Sequence, residues 1–191
     1  MKMDLKKILE KRHCTRKFKK KSVSFKDLGF ILDSARYAPC AGGIFTAKII
    51  VVDKDELKKK LAEAALGQAF LADAPYILAI CSDMEQITRA YGKKAEKYAR
   101  QQAGAAIENI FLTTTELGLA TCWIGAFDEN AVKRILKIPD NVDVEAILPV
   151  GYALEKEEKK SKIDLRRITR FNDWQTKFEI SEYPTASAEA I

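Results

Sequence analysis

The sequence has few of the residues and patterns on which common enzyme sites depend. Its 191 residues include a single histidine, His13, so a zinc centre or a Cys–His nucleophilic site has few candidate ligands. It also has no GxSxG nucleophile elbow, no GxxxxGK[ST] phosphate loop and no GxGxxG dinucleotide fingerprint. We therefore expect no metal site, no catalytic side chain of the usual nucleophilic kind, and no Rossmann or nucleoside-triphosphate site.

Long apolar runs are also missing. No stretch approaches the roughly 20 apolar residues that span a membrane, and the opening MKMDLKK lacks the apolar core of a signal peptide. The four cysteines (Cys14, Cys40, Cys81 and Cys122) are far apart and form no CxxC pair. This pattern is typical of reduced thiols, so we expect a cytoplasmic protein that contacts no membrane.

The composition is that of a globular protein with a small excess of positive charge. Apolar residues make up 47% of the chain and charged residues 31%, and a chain of this length can bury a sizeable core as one domain over 1–191. Lys and Arg number 33 against 27 Asp and Glu, a net charge of +6. The excess is concentrated in 2–21 and 156–170, which are the places to look for phosphate binding.

Apolar spacing along the chain alternates between the periods of helices and strands. The predicted helices are an opening segment around residues 5–9 and then 25 to about 35, 55–66, 88–117 and 131–136. Ser24 and Asp27 resemble a capping box at the start of the second helix. The predicted strands are 48–52, 76–81, 121–124 and 145–152. Strands separated by helices indicate an α/β or α+β fold in three layers.

The longest predicted helix, 88–117, has Gly92 and Gly104 as weak points and ends before Gly118. Small residues crowd its stretch 103–106. Another backbone or a flat ligand could therefore approach this part of the helix closely.

The chain after Lys156 is charged and then aromatic. Its rings belong to Phe171, Trp174, Phe178 and Tyr183. A tail of this kind cannot bury its own rings, so we expect residues 171–191 to pack on their own domain or on a partner subunit.

Two basic clusters are candidate phosphate sites. In the segment Arg12–Arg16 (RHCTR), two arginines flank a histidine, a cysteine and a threonine, and guanidinium groups match phosphate oxygens well. The run KKSK at 159–162 is similar. Each cluster could equally be a solvated basic patch.

Several segments in order resemble those of the nitroreductase family of flavoproteins. The matching segments are RHCTRKF at 12–18, ARYAPCAG at 35–42, GQ at 67–68 with AP at 74–75, AAIEN at 105–109 with LGLATCWIG at 117–125, and LKIP at 136–139 with LPVGY at 148–152. The resemblance covers about residues 5–170. It implies an α+β fold of three layers, with a central mixed sheet flanked by helices, in an intertwined homodimer.

The resemblance also implies an activity. Members of the family bind FMN at the subunit interface, take hydride from NADH or NADPH, and reduce nitroaromatics, quinones or similar small acceptors in a ping-pong scheme. Such an enzyme needs no acid or base of its own, because the cofactor supplies the redox chemistry.

Carried over position by position, the resemblance implies a set of flavin-binding residues. They are Arg12, His13, Cys14 and Arg16 at the phosphate and ribityl chain; Lys160 and Lys162 at the phosphate; Pro39, Cys40, Ala41, Gly42 and Gly43 from the other subunit; Gln68 at the polar edge of the ring; and Ile124, Gly125 and Ala126, with the backbone N–H groups of the last two near flavin N5 and O4.

The sequence departs from the family pattern in two places. The family's N-x-Q-P-W reads GIFTA at 43–47, so a ring-contacting amide is missing and Phe45 could contact the substrate by stacking. Cys14 and Cys40 stand where the family has serines. These thiols could make the site sensitive to oxidation, or they could be inert replacements for serine.

Three other functions remain open on the sequence alone. A specialised member of the same fold would be a dehalogenase, a flavin-destroying enzyme or a ring dehydrogenase, with 88–100 as the one segment available as a lid. A small basic protein that binds nucleic acid or an acidic partner would use the same clusters, although no RNP strand is present and we expect no nucleic-acid partner. A non-catalytic flavin carrier is the third.

Overall fold

A computed structural model describes residues 4–155 and 161–177. These fall into two compact units, Met1–Glu157 and Glu158–Ile191. The first contains the predicted core. The second contains one short helix, α7 (Leu165–Ile168), and an isolated bridge between Arg170 and Lys177. The expectation of one domain over 1–191 stays a prediction.

Six helices and four strands form the described part of the first unit. The helices are α1 (Leu5–Lys11), α2 (Phe25–Ala35), α3 (Asp55–Ala64), α4 (Glu85–Tyr91), α5 (Ala95–Glu116) and α6 (Glu129–Leu136), and the strands are β1 (Ala47–Val52), β2 (Tyr76–Asp83), β3 (Ala120–Thr121) and β4 (Val142–Gly151). Short 3-10 turns lie at Ala41–Gly43, Ala69–Leu71 and Gly92–Lys94. None of the described helices is long and apolar enough to cross a membrane.

The strands form a single sheet in the order β1-β2-β4-β3, with every pairing antiparallel. Among the described residues, the one parallel pairing that bears on the expectation of a mixed sheet is an isolated bridge between Cys14 and Thr121. The last residue of β1, Val52, pairs with Ile77 near the start of β2. The chain therefore enters β2 at the same end of the sheet at which it leaves β1. A helical connection that starts and finishes at the same end of the sheet makes neighbouring strands antiparallel. The alternation of helix and strand in a sequence does not reveal at which end the chain returns.

Helices cover both faces of the sheet and make three layers. Leu78 and Leu148 face a core cluster that includes Ile31 of α2 and Ile107 of α5. Their strand neighbours Ile77 and Ile147 face a second cluster, which includes Leu61 of α3 and Val132 of α6. Because β2 and β4 are buried on both faces, their sequences are continuous apolar runs rather than alternating ones.

Two predicted elements differ from the observed ones. The predicted helix 88–117 is broken at Gly92, whose φ of 51° and ψ of −123° are not helical, so α4 and α5 are separate. The predicted strand 121–124 is reduced to Ala120–Thr121. Ile124 returns to the sheet as an isolated bridge to Ile147.

Other helix ends agree with the sequence signals. Oγ of Ser24 accepts a hydrogen bond from the backbone N–H of Asp27 at 3.0 Å and caps α2 as predicted. Gly118 follows α5 with a φ of 70°, the left-handed conformation that terminates a helix.

Candidate functional site

The segment Arg12–Arg16 follows α1, and its first residue packs on α5. Nε of Arg12 lies 3.4 Å from Oε1 of Glu108, and the guanidinium lies over the ring of Phe111 at 5.7 Å from its centroid. The Arg12 side chain is 27% exposed, so it is held in place yet still reaches solvent. Arg16, four residues on, is exposed. The two arginines form a positively charged site of which one member is firmly oriented.

His13 is exposed between these arginines. Its Nδ1–H donates to the carbonyl of Lys11 at 2.7 Å. Because a carbonyl can only accept, this bond places the proton of a neutral imidazole on Nδ1 and leaves Nε2 as an acceptor.

Cys14 attaches this segment to the strand that follows α5. It forms the parallel bridge with Thr121, and the backbone N–H of Thr15 donates to the carbonyl of Thr121 at 2.9 Å. The sulfur of Cys14 accepts hydrogen bonds from the thiol of Cys122 and from the backbone N–H of Trp123. The charged segment therefore lies directly beside residues 121–123.

These contacts lower the pKa of the Cys14 thiol to about 5. The hydrogen bond from Cys122 contributes most; partial burial opposes it, and the Trp123 N–H and the charges of Arg12 and Arg16 lower the pKa further. Each favourable contact stabilises the thiolate rather than the thiol. Together these contacts favour the thiolate form of Cys14.

The turn at Gly125 and Ala126 presents backbone donors. Both residues are exposed, and within residues 4–155 and 161–177 no acceptor is found for either N–H. The turn is nevertheless held on both sides. Ile124 exchanges two backbone hydrogen bonds with Ile147 at 3.1 and 3.0 Å, and the N–H of Asp128 donates to the carbonyl of Ala64 at 2.8 Å.

Gln68 is a further tie to this turn. Its Nε2 donates to the carbonyl of Ala65 at 2.8 Å and to that of Ala126 at 3.3 Å. The side chain thus connects the turn after α3 to the turn at Gly125. Backbone N–H groups on two exposed residues of a fixed turn suit a ligand atom that carries or develops negative charge.

Residues 39–43 lie in a different part of the structure. Pro39 and Cys40 are exposed. Ala41 packs on a small cluster formed by Ile87 of α4 with Ala95 and Ala99 of α5. Gly42 and Gly43 have φ values of 57° and 75°, and a Cβ on Gly42 would clash with the phenol oxygen of Tyr91. The turn is built on glycine because it needs both the left-handed backbone and the close approach of Tyr91.

Gln102 organises the segment that departs from the family pattern. Its Oε1 accepts from the N–H of Thr46 at 2.6 Å, from the Thr46 hydroxyl at 2.8 Å and from the N–H of Ala47 at 3.0 Å. Phe45 is half-buried and packs against the core. Sequence reasoning missed Gln102. The available signal was a glutamine beside the small apolar residues Ala99, Ala103 and Ala106 of the predicted helix.

The structure thus brings some of the predicted site residues together and separates others. Arg12, His13, Cys14 and Arg16 adjoin the strand that leads to Ile124, Gly125 and Ala126, with Gln68 behind the turn. Residues 39–43 and Phe45 lie around α4 and α5. Lys162 is exposed in the second unit, and Lys160 lies outside the described residues.

The described residues contain no group of three or more His, Cys, Asp or Glu side chains that could hold a metal ion. Arg12 and Arg16 can bind an anion. The strand beside them leads to a pair of backbone N–H donors, those of Gly125 and Ala126. That donor set suits an elongated ligand with an anionic end and a second end rich in acceptors.

Comparison with known proteins agrees with this geometry. The family model described as the nitroreductase family matches residues 9–70 and 65–152. A Methanocaldococcus jannaschii protein provisionally named a nitroreductase is 37% identical over 107 residues, a match that covers 56% of this chain and 53% of that protein. This chain therefore spans about half the length of that relative.

Two further comparisons extend over most of both chains. An Archaeoglobus fulgidus protein provisionally named an NADH dehydrogenase/NAD(P)H nitroreductase is 30% identical over 156 residues, which is 80% of this chain and 87% of that protein. The solved structure of an FMN-dependent nitroreductase from Clostridium difficile superposes with a TM-score of 0.76 at 30% identity, covering 87% of this chain and 98% of that one. The chain belongs to the nitroreductase family and has its α+β fold.

Proposed function

We propose that this chain is an FMN-dependent NAD(P)H oxidoreductase that reduces a nitroaromatic, a quinone or a similar small acceptor in a ping-pong scheme. The observation that carries the proposal is the Cys14–Thr121 bridge, which joins the Arg12–Arg16 segment to the strand leading to the backbone N–H groups of Gly125 and Ala126. Membership of the family and the names of the relatives support it.

The residues present fit FMN at its phosphate end. A phosphate dianion needs cationic donors, and the guanidinium of Arg12 is already oriented by Glu108 and Phe111. Arg16 and His13 flank it on the same short segment, and Cys14 lies between them. Lys160 and Lys162 are proposed as further phosphate ligands.

The residues also fit the ring end. Bound FMN supplies the redox chemistry, accepting hydride from NADH or NADPH and passing electrons to the acceptor. The N–H groups of Gly125 and Ala126, next to Ile124, would donate to the acceptor atoms N5 and O4 of the ring. Because the turn is held by Ile147 and Gln68, these donors need not reorganise as negative charge develops on the ring. No side chain is assigned as a catalytic acid or base.

A second copy of the chain would complete the site. Pro39, Cys40, Ala41, Gly42 and Gly43 are proposed to contact the flavin bound mainly by the other subunit, with Phe45 near the acceptor. Large apolar side chains are left exposed on α1 and α2, where Leu5 is 60%, Phe25 81% and Phe30 51% exposed. A homodimer would cover part of this apolar surface.

Titration of the flavin-free protein with FMN and with riboflavin, which lacks the phosphate, tests the proposal. FMN should bind more tightly than riboflavin. Arg12→Ala should weaken FMN binding by about 10- to 100-fold, because a charge-assisted hydrogen bond contributes about 1.5–3 kcal/mol, and should change riboflavin binding little. Arg100→Ala removes the same charge from an exposed pair with Glu96 on α5 and is the control.

Several results would reject the proposal or part of it. Failure to bind FMN at all would reject it, whereas equal weakening of FMN and riboflavin by Arg12→Ala would reject the phosphate role of Arg12. FMN binding without reduction by NADH or NADPH would leave a flavin carrier. Salt-sensitive binding to random DNA without flavin binding would favour the basic binding protein.

A further inference from the structure

Cys14 and Cys122 are neighbours in the fold although they are far apart in sequence. The parallel bridge of Cys14 with Thr121 sets the two segments next to each other. Cys14 packs against the core cluster that contains Cys122, and the Cys122 thiol donates a hydrogen bond to the Cys14 sulfur. From hydrogen-bond contact, the two sulfurs need to approach by only about 2 Å to reach the roughly 2.05 Å of a disulfide.

The two thiols differ in their access to solvent. Cys14 is partly exposed, whereas Cys122 is completely buried. A small oxidant can therefore reach Cys14 directly, and Cys122 is protected from it. This is the arrangement of an attacking thiol backed by a thiol that reacts only with its neighbour.

The surroundings of Cys14 favour a reactive thiolate. The side chains of Arg12 and Arg16 provide positive charge, and the N–H of Trp123 donates to the sulfur. The thiolate is the form that attacks peroxides and disulfides. These charges and donors come from both sides of the Cys14–Thr121 bridge, so they depend on the fold rather than on the local sequence alone.

The remaining cysteines lack one or more of these features. Cys81 is buried, and burial together with the charges of Glu145 and Glu129 raises its pKa to about 12, which makes its thiol inert. Cys40 is exposed on the 39–43 turn, where its neighbours are Pro39 and Ala41. Within the residues that the structure describes, Cys14 alone combines solvent access, cationic neighbours and a thiol partner.

We propose that Cys14 and Cys122 form a reversible redox pair in which Cys14 reacts with hydrogen peroxide and Cys122 resolves the product as a disulfide. In the first step the Cys14 thiolate attacks one oxygen of hydrogen peroxide, the O–O bond breaks, and the departing hydroxide takes a proton to become water. The sulfur is oxidised to a sulfenic acid and the peroxide is reduced.

In the second step Cys122 loses its proton and attacks the Cys14 sulfur. The S–S bond forms, the S–O bond breaks, and the departing hydroxide takes a proton to give a second water. Two thiols and one hydrogen peroxide thus yield one disulfide and two waters. A dithiol reductant returns the pair to its starting state by thiol–disulfide exchange.

The reaction would alter the anion site without needing a bound cofactor. A disulfide carries no charge, so Arg12 and Arg16 lose the neighbouring Cys14 thiolate. It also joins residues 12–16 covalently to residues 121–123. The Cys14–Cys122 pair depends only on contacts within this chain, so its test is independent of the proposed oxidoreductase function.

Peptide mass spectrometry tests the pair directly. The full chain is reduced, freed of reductant, and treated with equimolar hydrogen peroxide with and without added FMN, then digested without reductant. The expected product in the flavin-free protein is a peptide pair linked through Cys14 and Cys122 and lighter by two hydrogen atoms, which dithiothreitol separates. Cys81 should stay unmodified and is the internal control.

Two variants resolve the order of steps. In Cys122→Ser, Cys14 should stop at the sulfenic acid and be captured by dimedone; in Cys14→Ser, Cys122 should form neither a dimedone adduct nor a linked peptide. Cys40→Ser should keep the link. Oxidation of wild-type protein that falls first on Cys40, or that carries Cys14 to higher oxides without a link to Cys122, would overturn the proposal even if a variant fails to fold.

Discussion

Thr46 donates both its backbone N–H and its hydroxyl to Oε1 of Gln102, at 2.6 and 2.8 Å. Thr46 and Gln102 are buried, and the same oxygen also accepts the N–H of Ala47. One carboxamide on α5 thus supplies the acceptor for three donors at the start of β1. It fixes where the strand begins after the 39–45 segment.

Replacing Gln102 by alanine should therefore be costly. Three buried donors would lose their acceptor, and since each unsatisfied buried group costs about 1–3 kcal/mol with partial relief by water, we expect a loss of about 2–4 kcal/mol in the free energy of unfolding. Denaturant unfolding measures it. Gln101→Ala is the matched control, because Gln101 is exposed on the same helix and should change stability by less than about 0.5 kcal/mol.

Gly42→Ala should destabilise the 39–43 turn. An alanine there would be strained by the φ of 57° and would clash with the phenol oxygen of Tyr91, together about 1–3 kcal/mol. In a Tyr91→Phe background the clash with the phenol oxygen is removed, whereas the contact with the ring carbon Cζ at 3.3 Å and the backbone strain remain, so part of the loss should be recovered. Chemical denaturation of the four proteins in the cycle gives the coupling.

Gly29→Ala provides the opposite control. Gly29 is exposed within α2 and has open space around it, so alanine there should stabilise the helix by about 0.5–1 kcal/mol. If Gly42→Ala were equally harmless, the close approach to Tyr91 would be wrong.

Stability should depend on pH through Cys14. Its pKa is about 5 in the folded protein, against an ordinary value of about 8.5 that it regains on unfolding. Between these values the unfolded chain binds more protons, so the thiolate stabilises the fold increasingly as the pH rises. The contribution is complete above the unfolded pKa and is lost as the pH falls through about 5.

Denaturant unfolding of the flavin-free wild type and of Cys14→Ser at several pH values isolates this effect. The stability difference, wild type minus variant, should grow from pH 5 to pH 9. A difference that stays constant across this range would mean that Cys14 does not titrate as described.

Gln68→Ala should loosen the turn at Gly125. The variant loses the hydrogen bonds to Ala65 and Ala126, each typically contributing about 0.5–1.5 kcal/mol. Because this tie supports the ring end of the proposed site, FMN and riboflavin should both bind about 2- to 10-fold more weakly. Gln86→Ala, at an exposed position of α4, should bind both as the wild type does. An effect on FMN alone would place Gln68 at the phosphate end instead.

Much of the fold could be predicted because its signals are local. Ser24 and Gly118 mark helix ends through their own side chain or lack of one, and the apolar runs of β2 and β4 indicate burial on both faces. The break at Gly92 was visible only as a weak point, since glycine permits a left-handed backbone without requiring it.

The features that could not be predicted depend on residues distant in sequence. The antiparallel return from β1 to β2, the acceptor role of Gln102 for Thr46, and the contact of Cys14 with Cys122 each join segments whose separation in sequence carries no sign of their pairing. The family resemblance placed Arg12 and Gly125 in one site. It did not place Glu108 and Phe111 behind the arginine.

Anaerobic absorbance spectroscopy of the purified, FMN-loaded protein tests the proposed activity most directly. Addition of NADH or NADPH should bleach the visible flavin absorbance, and subsequent addition of a quinone or nitroaromatic should restore it without any third component. A protein that binds stoichiometric FMN but keeps its full absorbance with both nicotinamides would contradict the proposed oxidoreductase function.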